Sequence, residues 1–236
     1  MSHHVVASRP PQGGSPQGSP DGSPVAAGPY GLAHVVRGIA VVWCLLLIVD
    51  LVAVYRAAGA WQDAATGGPG WGQAEAALYD STAYLYLPVQ IVAFLVGSSW
   101  LYRSRQLADA LSPSFRHTHP PYRVWLAWAF PVVNLWFPYQ VVRDLRRATV
   151  GPAATAAPVR LWWLLWLVCL AADLTTFVVA ASAEVGSDAT LGVVPWLVTG
   201  SSVLGVVCGA LWLRLIGEIT SAQRSRLATF EKGTSR

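Results

Sequence analysis

The sequence predicts an all-α integral membrane protein with four transmembrane helices and a cytoplasmic re-entrant or interfacial amphipathic helix between the second and third. Three observations predict it. Of 236 residues, 54% are hydrophobic and only 12% charged, roughly half the charge of an average soluble domain. The apolar residues come in four long blocks rather than in amphipathic periods. The arginines and lysines lie almost entirely on one side of those blocks.

The elements follow in chain order. Residues 1–33 form a cytoplasmic tail, and fifteen of the 22 residues from Ser8 to Pro29 are Pro, Gly or Ser. Such a segment buries too little apolar area to offset its ordering entropy, so disorder with polyproline II character is expected. It lacks the apolar core of a signal peptide. A proline-binding cytoplasmic partner is the functional reading of this tail, and a passive tether the plain one.

The membrane domain, 34–220, contains spans at about 36–55, 83–102, 161–183 and 191–213. A span of about 20 residues rises about 30 Å as a helix, enough to cross the hydrocarbon core. Helices are required because lipid offers no partner to backbone N–H and C=O groups. Orientation follows from the positive charges. With both termini cytoplasmic, fifteen of the sixteen basic residues lie inside and only Arg56 outside. The loop at 57–82 and the turn at 184–190 carry acids but neither lysine nor arginine. A basic tail, 221–236, closes the chain.

The stretch 125–148 is long enough to be a fifth crossing, but that would move nine basic residues outside. Pro131 and Pro138 would also each break a hydrogen bond of a lone spanning helix. A helix starting at Pro138 fits better, because proline costs nothing in a first turn. Val141, Val142 and Leu145 then share one face, opposite Gln140, Arg143, Asp144, Arg146 and Arg147. That is a basic amphipathic helix in the interface, with Trp125, Trp128, Phe130, Trp136 and Phe137 dipping among headgroups. Asn134, four residues before Pro138, is placed to bond a carbonyl freed there.

At these residues the sequence resembles a group of bacterial multi-pass membrane proteins catalogued as domain of unknown function 4328. The resemblance rests on FPxxNLxxPxQVxxD: Phe130, Pro131, Asn134, Leu135, Pro138, Gln140, Val141 and Asp144. It extends over residues 35 to about 220 and departs from the family pattern at Arg146, where tryptophan is expected. It implies a multi-pass protein of the bacterial cell membrane and brings no activity with it.

Polar residues recur at one depth of the spans: Asp50, Gln90, Asp173, Thr199, Ser201 and Ser202. An intramembrane carboxylate costs about 2.5–3.5 kcal/mol even on the lenient insertion scale, so each should face protein or water. The functional reading is a proton or cation relay through Asp50 and Asp173. The plain reading is interhelical glue, with protonated carboxyls bonded to Gln90, Thr176 and the serines. A relay would show further carboxylates or histidines leading to each surface, which favours glue. Ser201, Gly205 and Gly209 recur every four residues, with Gly217 continuing the row, a stripe that permits close helix approach. Packing within the bundle is its plain account and a homodimer the sharper one.

Other chemistry finds little support. His117 and His119 fall short of a metal site, and Cys44, Cys169 and Cys208 read as small packing residues. No GxSxG, HExxH, phosphate-binding glycine loop or Cys/His nucleophile set is present, so neither an enzyme nor a cofactor is expected. No module pairs basic with aromatic residues as nucleic-acid binding requires. Clustered arginines near the surface would attract anionic lipid headgroups. The expectation is a non-enzymatic interaction or scaffold protein of the cell membrane. The alternative is a small ion, proton or solute transporter using the polar layer.

Overall fold

The computed structural model describes residues 28–65, 73–125, 132–182 and 188–234. Four long helices dominate: α1 (Tyr30–Ala65), α2 (Gln73–Leu111), α4 (Ala157–Ser182) and α5 (Asp188–Thr234). Between α2 and α4 lie a 3-10 turn (Val133–Leu135) and the shorter α3 (Phe137–Val150). Among the described residues there is no strand.

Each long helix is long and apolar enough to cross a membrane, over Tyr30–Ala60, Tyr84–Leu111, Ala157–Val179 and Gly192–Phe230. The four expected spans fall on these helices. Apolar side chains stand exposed along them, among them Leu87 at 66% and Phe177 at 69%. In water such surfaces would form a patch far larger than a soluble monomer carries; in lipid they are at home. The fold is that of an integral membrane protein with four spanning helices.

The helices are longer than the spans. At 1.5 Å per residue α5 reaches about 70 Å, more than twice the hydrocarbon thickness. The basic stretch from Arg214 to Lys232 continues the last span as helix. α2 likewise runs to Leu111, past Arg103 and Arg105. Laterally the order is α2, α1, α5, α4, because α1 packs on α2 and α5, and α4 on α5.

α3 packs across the arginine-rich end of this bundle, touching α2, α4 and α5. It starts at Phe137, one residue earlier than expected, with proline in its first turn where no amide is required. It stops at Gly151, whose φ of 133° suits glycine. Val141, Val142 and Leu145 are buried as the periodicity implies, in one core with Leu101 and Ala108 of α2 and Leu215, Ile216 and Ile219 of α5. Protein therefore covers the apolar face that was expected to meet headgroups. The opposite face departs from expectation too: Asp144 and Arg146 are only 5% and 7% exposed. Its fourteen residues rise about 21 Å, too short for α3 itself to cross; residues 126–131, upstream of it, lie outside the described residues.

Of the aromatic residues expected among headgroups, Trp136 is exposed. Phe137 instead stacks on His119, centroids 4.4 Å apart, and Trp125 lies edge-on to Phe94. Trp128, Phe130 and Pro131 lie outside the described residues, as does the proline-rich stretch up to residue 27.

Candidate functional site

A cleft of about 540 Å³ lies among the four spans. α2 and α4 form opposite walls, with α1 and α5 between them. The cleft exists because the helix order leaves α2 and α4 apart while α1 and α5 pack closely. Closeness comes from the small-residue stripe. A Cβ at Gly205 would sit 2.6 Å from Leu47 Cδ1, and one at Gly209 2.5 Å from Cys44 Sγ. Gly205 and Gly209 of the stripe thus face α1, as packing within the bundle would have them. Gly217 meets nothing within 4 Å.

Tryptophans build one end of the cleft. Trp162 of α4 stacks on Trp212 of α5 at 4.9 Å, and Trp100 of α2 meets Trp212 edge-on at 5.9 Å. Trp166 and Trp43 add aromatic wall, and Phe94 closes the α2 side. From Trp162 to Asp173, and from Trp212 back to Ser201, is eleven residues on each helix, or about 16 Å of rise. The cleft thus runs from a tryptophan floor to a carboxylate.

At that second end the Ser201 hydroxyl donates to Asp173 Oδ1. Gln90 lines the same region from α2. Asp50 is not among the lining residues; its carboxylate accepts from Thr82 Oγ1 at 2.8 Å. Thr199 lies further along α5, with Tyr55 Oη 3.0 Å away and its own hydroxyl bonded to the Pro195 carbonyl. Ser202 is buried. Thr176 bonds the Ala172 carbonyl of its own helix instead of a carboxyl. The polar layer therefore divides into a bonded Asp173–Ser201 pair in the cleft, which Gln90 also lines, an Asp50–Thr82 pair between α1 and α2, and Thr199 with Tyr55. Matching depth brought Asp173 and Ser201 together; Thr82 had no comparable signal.

The motif residues organise the basic end. Asn134 lines the cleft near its tryptophan floor, and its Oδ1 is buried without a partner. Among the described residues it makes no bond to the carbonyl freed by Pro138. Leu135 holds the turn by accepting from Trp163 Nε1 at 3.2 Å. Gln140 Oε1 pairs with His119 Nε2. Asp144 accepts from the Thr118 amide at 2.9 Å and from Arg143 Nε at 2.9 Å and Nη2 at 2.7 Å. Gln140 and Asp144 thus tie the loop around Thr118 and His119 to α3. Among the described residues no three His, Cys, Asp or Glu side chains could hold a metal.

This latch responds to acid. Burial raises the Asp144 pKa, but bonds from Thr118 and Arg143 outweigh it and hold the carboxyl below its ordinary range. His117 sits at 2% side-chain exposure, its Nε2 3.1 Å from Asp109 Oδ1. Burial, then Arg105, lowers its pKa; Asp109 and Asp144 offset this only in part. Protonation of either group favours the unfolded chain, which has the higher pKa in both cases. The stability from His117 is complete above its ordinary value of about 6.5 and is lost as pH falls from there through the lower folded value. Asp144's share is lost at still lower pH, below about 3.9. Thermal unfolding of the purified protein should therefore shift to lower temperature between about pH 7 and pH 5. His117→Phe should remove most of that shift; an unchanged shift would assign it elsewhere.

The model of a family described as a domain of unknown function (DUF4328) matches residues 72–221, more than half of the chain, and the chain belongs to that family. The match takes in α2, α3, α4 and most of α5 and leaves α1 outside. No curated protein and no solved structure matches the chain.

Proposed function

We propose that this family member binds, and carries across the membrane, small amphipathic cations, using the cleft among its spans. The carrying observation is the cleft itself: about 540 Å³, walled by Trp43, Trp162, Trp166, Trp212 and Phe94, with the Asp173 carboxyl at one end. Pockets of this size and apolar character, with few convergent polar groups, are the usual form of small-molecule sites. Aromatic faces attract cations, and more strongly when water is excluded. Among the described residues, no lysine, arginine or histidine lines the cleft to compete for the carboxylate.

The scaffold reading rests on the proline-rich tail, whose residues up to 27 lie outside the described ones, on the basic 103–123 loop, on the interfacial helix and on the basic C-terminus; the cleft is what favours the carrier reading. In it, the basic end faces the cytoplasm of a cell membrane, as the positive-inside rule requires. Asp50, held by Thr82 away from the cleft, acts as glue between α1 and α2.

The test is binding of tetraphenylphosphonium to the purified protein in nanodiscs, read by quenching of tryptophan fluorescence. Wild type should saturate. Asp173→Asn should weaken binding at least about tenfold, since losing one partner of a desolvated charge pair costs about 2 kcal/mol or more. Asp50→Asn should change it little. Absence of saturable binding, or equal affinity in Asp173→Asn, would end the proposal.

A further inference from the structure

Away from the cleft, a second pocket of about 140 Å³ opens at the basic end, between the first turns of α1 and the continuation of α5. His34 and Arg37 line it from α1, and Thr220, Ser221 and Arg224 from α5. Among the described residues no ion pair engages His34, Arg37 or Arg224. Two guanidinium groups therefore line one pocket, and among the described residues no carboxylate lines it with them. Arg224 is steadied over the Tyr30 ring, 4.8 Å from its centroid, a cation–π contact. Thr220 Oγ1 is buried and makes no hydrogen bond, a state proteins seldom tolerate unless a partner arrives. Ser221 already donates to the Glu218 carbonyl, leaving Thr220 as the hydroxyl donor. Gly217 also lines the pocket, and a side chain there would enter open space.

We infer that this pocket binds a phosphate group. Arginine forks match phosphate oxygens in geometry and charge, and the positive end of α1 adds to the attraction. The volume admits a phosphate-sized head but not an acyl chain. Val35, Val41 and Val42 stand exposed on α1 beside the pocket, where the chains of a phospholipid would lie if the head were seated. The same chemistry would also hold a phosphate borne by a soluble molecule. Neither source depends on what the cleft binds.

The purified full chain is examined in two arms. In the first, it is equilibrated with phosphatidylglycerol or phosphatidylcholine in mixed micelles, and retained lipid is counted by native mass spectrometry. In the second, it is titrated with inorganic phosphate by calorimetry. Phosphatidylglycerol retained without phosphate binding assigns a lipid headgroup; phosphate binding assigns a soluble source as well. In either arm Arg37→Gln with Arg224→Gln should weaken binding at least about tenfold, as expected for losing charge-assisted hydrogen bonds. Gly217→Leu keeps every charge and fills the pocket, so it should weaken binding similarly. Arg103→Gln with Arg116→Gln removes two exposed arginines elsewhere at the same end and should leave binding within about twofold. No binding of either probe, undiminished binding in Gly217→Leu, or an equal loss in the Arg103/Arg116 control would overturn the site.

Discussion

Gly209→Leu is expected to unfold the membrane domain in mild detergent, with a loss of about 3 kcal/mol or more, the upper end of what overpacking costs. The reason is the seam between α1 and α5. Even a single added carbon at Gly209 would lie 2.5 Å from Cys44 Sγ, and at Gly205 2.6 Å from Leu47 Cδ1. Leu47 can turn its methyls aside, but Cys44 is a short side chain with one torsion, so position 209 is the less forgiving. Leucine would wedge α1 from α5, and Trp43, Leu47, Cys208 and Trp212 would lose their places around the cleft together. Gly209→Ala should cost far less, and pairing it with Cys44→Ala should restore most of the loss, because the second change vacates the space the first fills. Thermal unfolding followed by tryptophan emission measures all three. Had the stripe served a homodimer, Gly209→Leu would lower the oligomer mass while leaving the monomer's unfolding temperature unchanged. That outcome would refute the seam.

Spans were legible in the sequence because lipid allows no other solution: about 20 apolar residues without charge must be helix. The amphipathic face of α3 was legible for a similar reason, since Val141, Val142 and Leu145 recur at helical spacing. Less visible was what that face meets. Periodicity says which residues seek an apolar environment, not whether lipid or protein supplies it. Here the continuations of α2 and α5 supply it, and they continue because α3 packs on them. The partners of buried polar groups were hidden too. Gln223 at 0% exposure bonds the Ser104 carbonyl, and Arg226 bonds Ser112 Oγ and the Ala148 carbonyl. These pairs join residues 75 or more positions apart, and no local pattern encodes them. Asp173 and Ser201 are the exception: antiparallel neighbours at equal depth can be counted along the chain, and here the Ser201 hydroxyl bonds Asp173.

Arg146 is the sharpest case. A guanidinium only 7% exposed needs a partner. Glu218, 72 positions later, provides it: Nε donates to Oε2 at 3.0 Å and Nη2 to Oε1 at 2.6 Å. Nη1 donates to the Thr155 carbonyl, which ties the α3–α4 connection to the same point. Glu218→Leu should therefore destabilise the protein by about 3 kcal/mol. Breaking a buried pair costs about 3–5 kcal/mol because one charge stays behind, and the 32% exposure of Glu218 sets this pair at the low end. Arg146→Leu alone should cost less, since the remaining carboxylate can reach water. Replacing both should recover stability to within about 1 kcal/mol of wild type or exceed it, because neither charge is then desolvated. Unfolding in detergent across this cycle, at low and high salt, measures the coupling. A surface pair would fade with salt, whereas this one should persist. If Glu218→Leu proves neutral, or the double variant is as unstable as the sum of the single ones, then α3 is held to α5 by its apolar face alone.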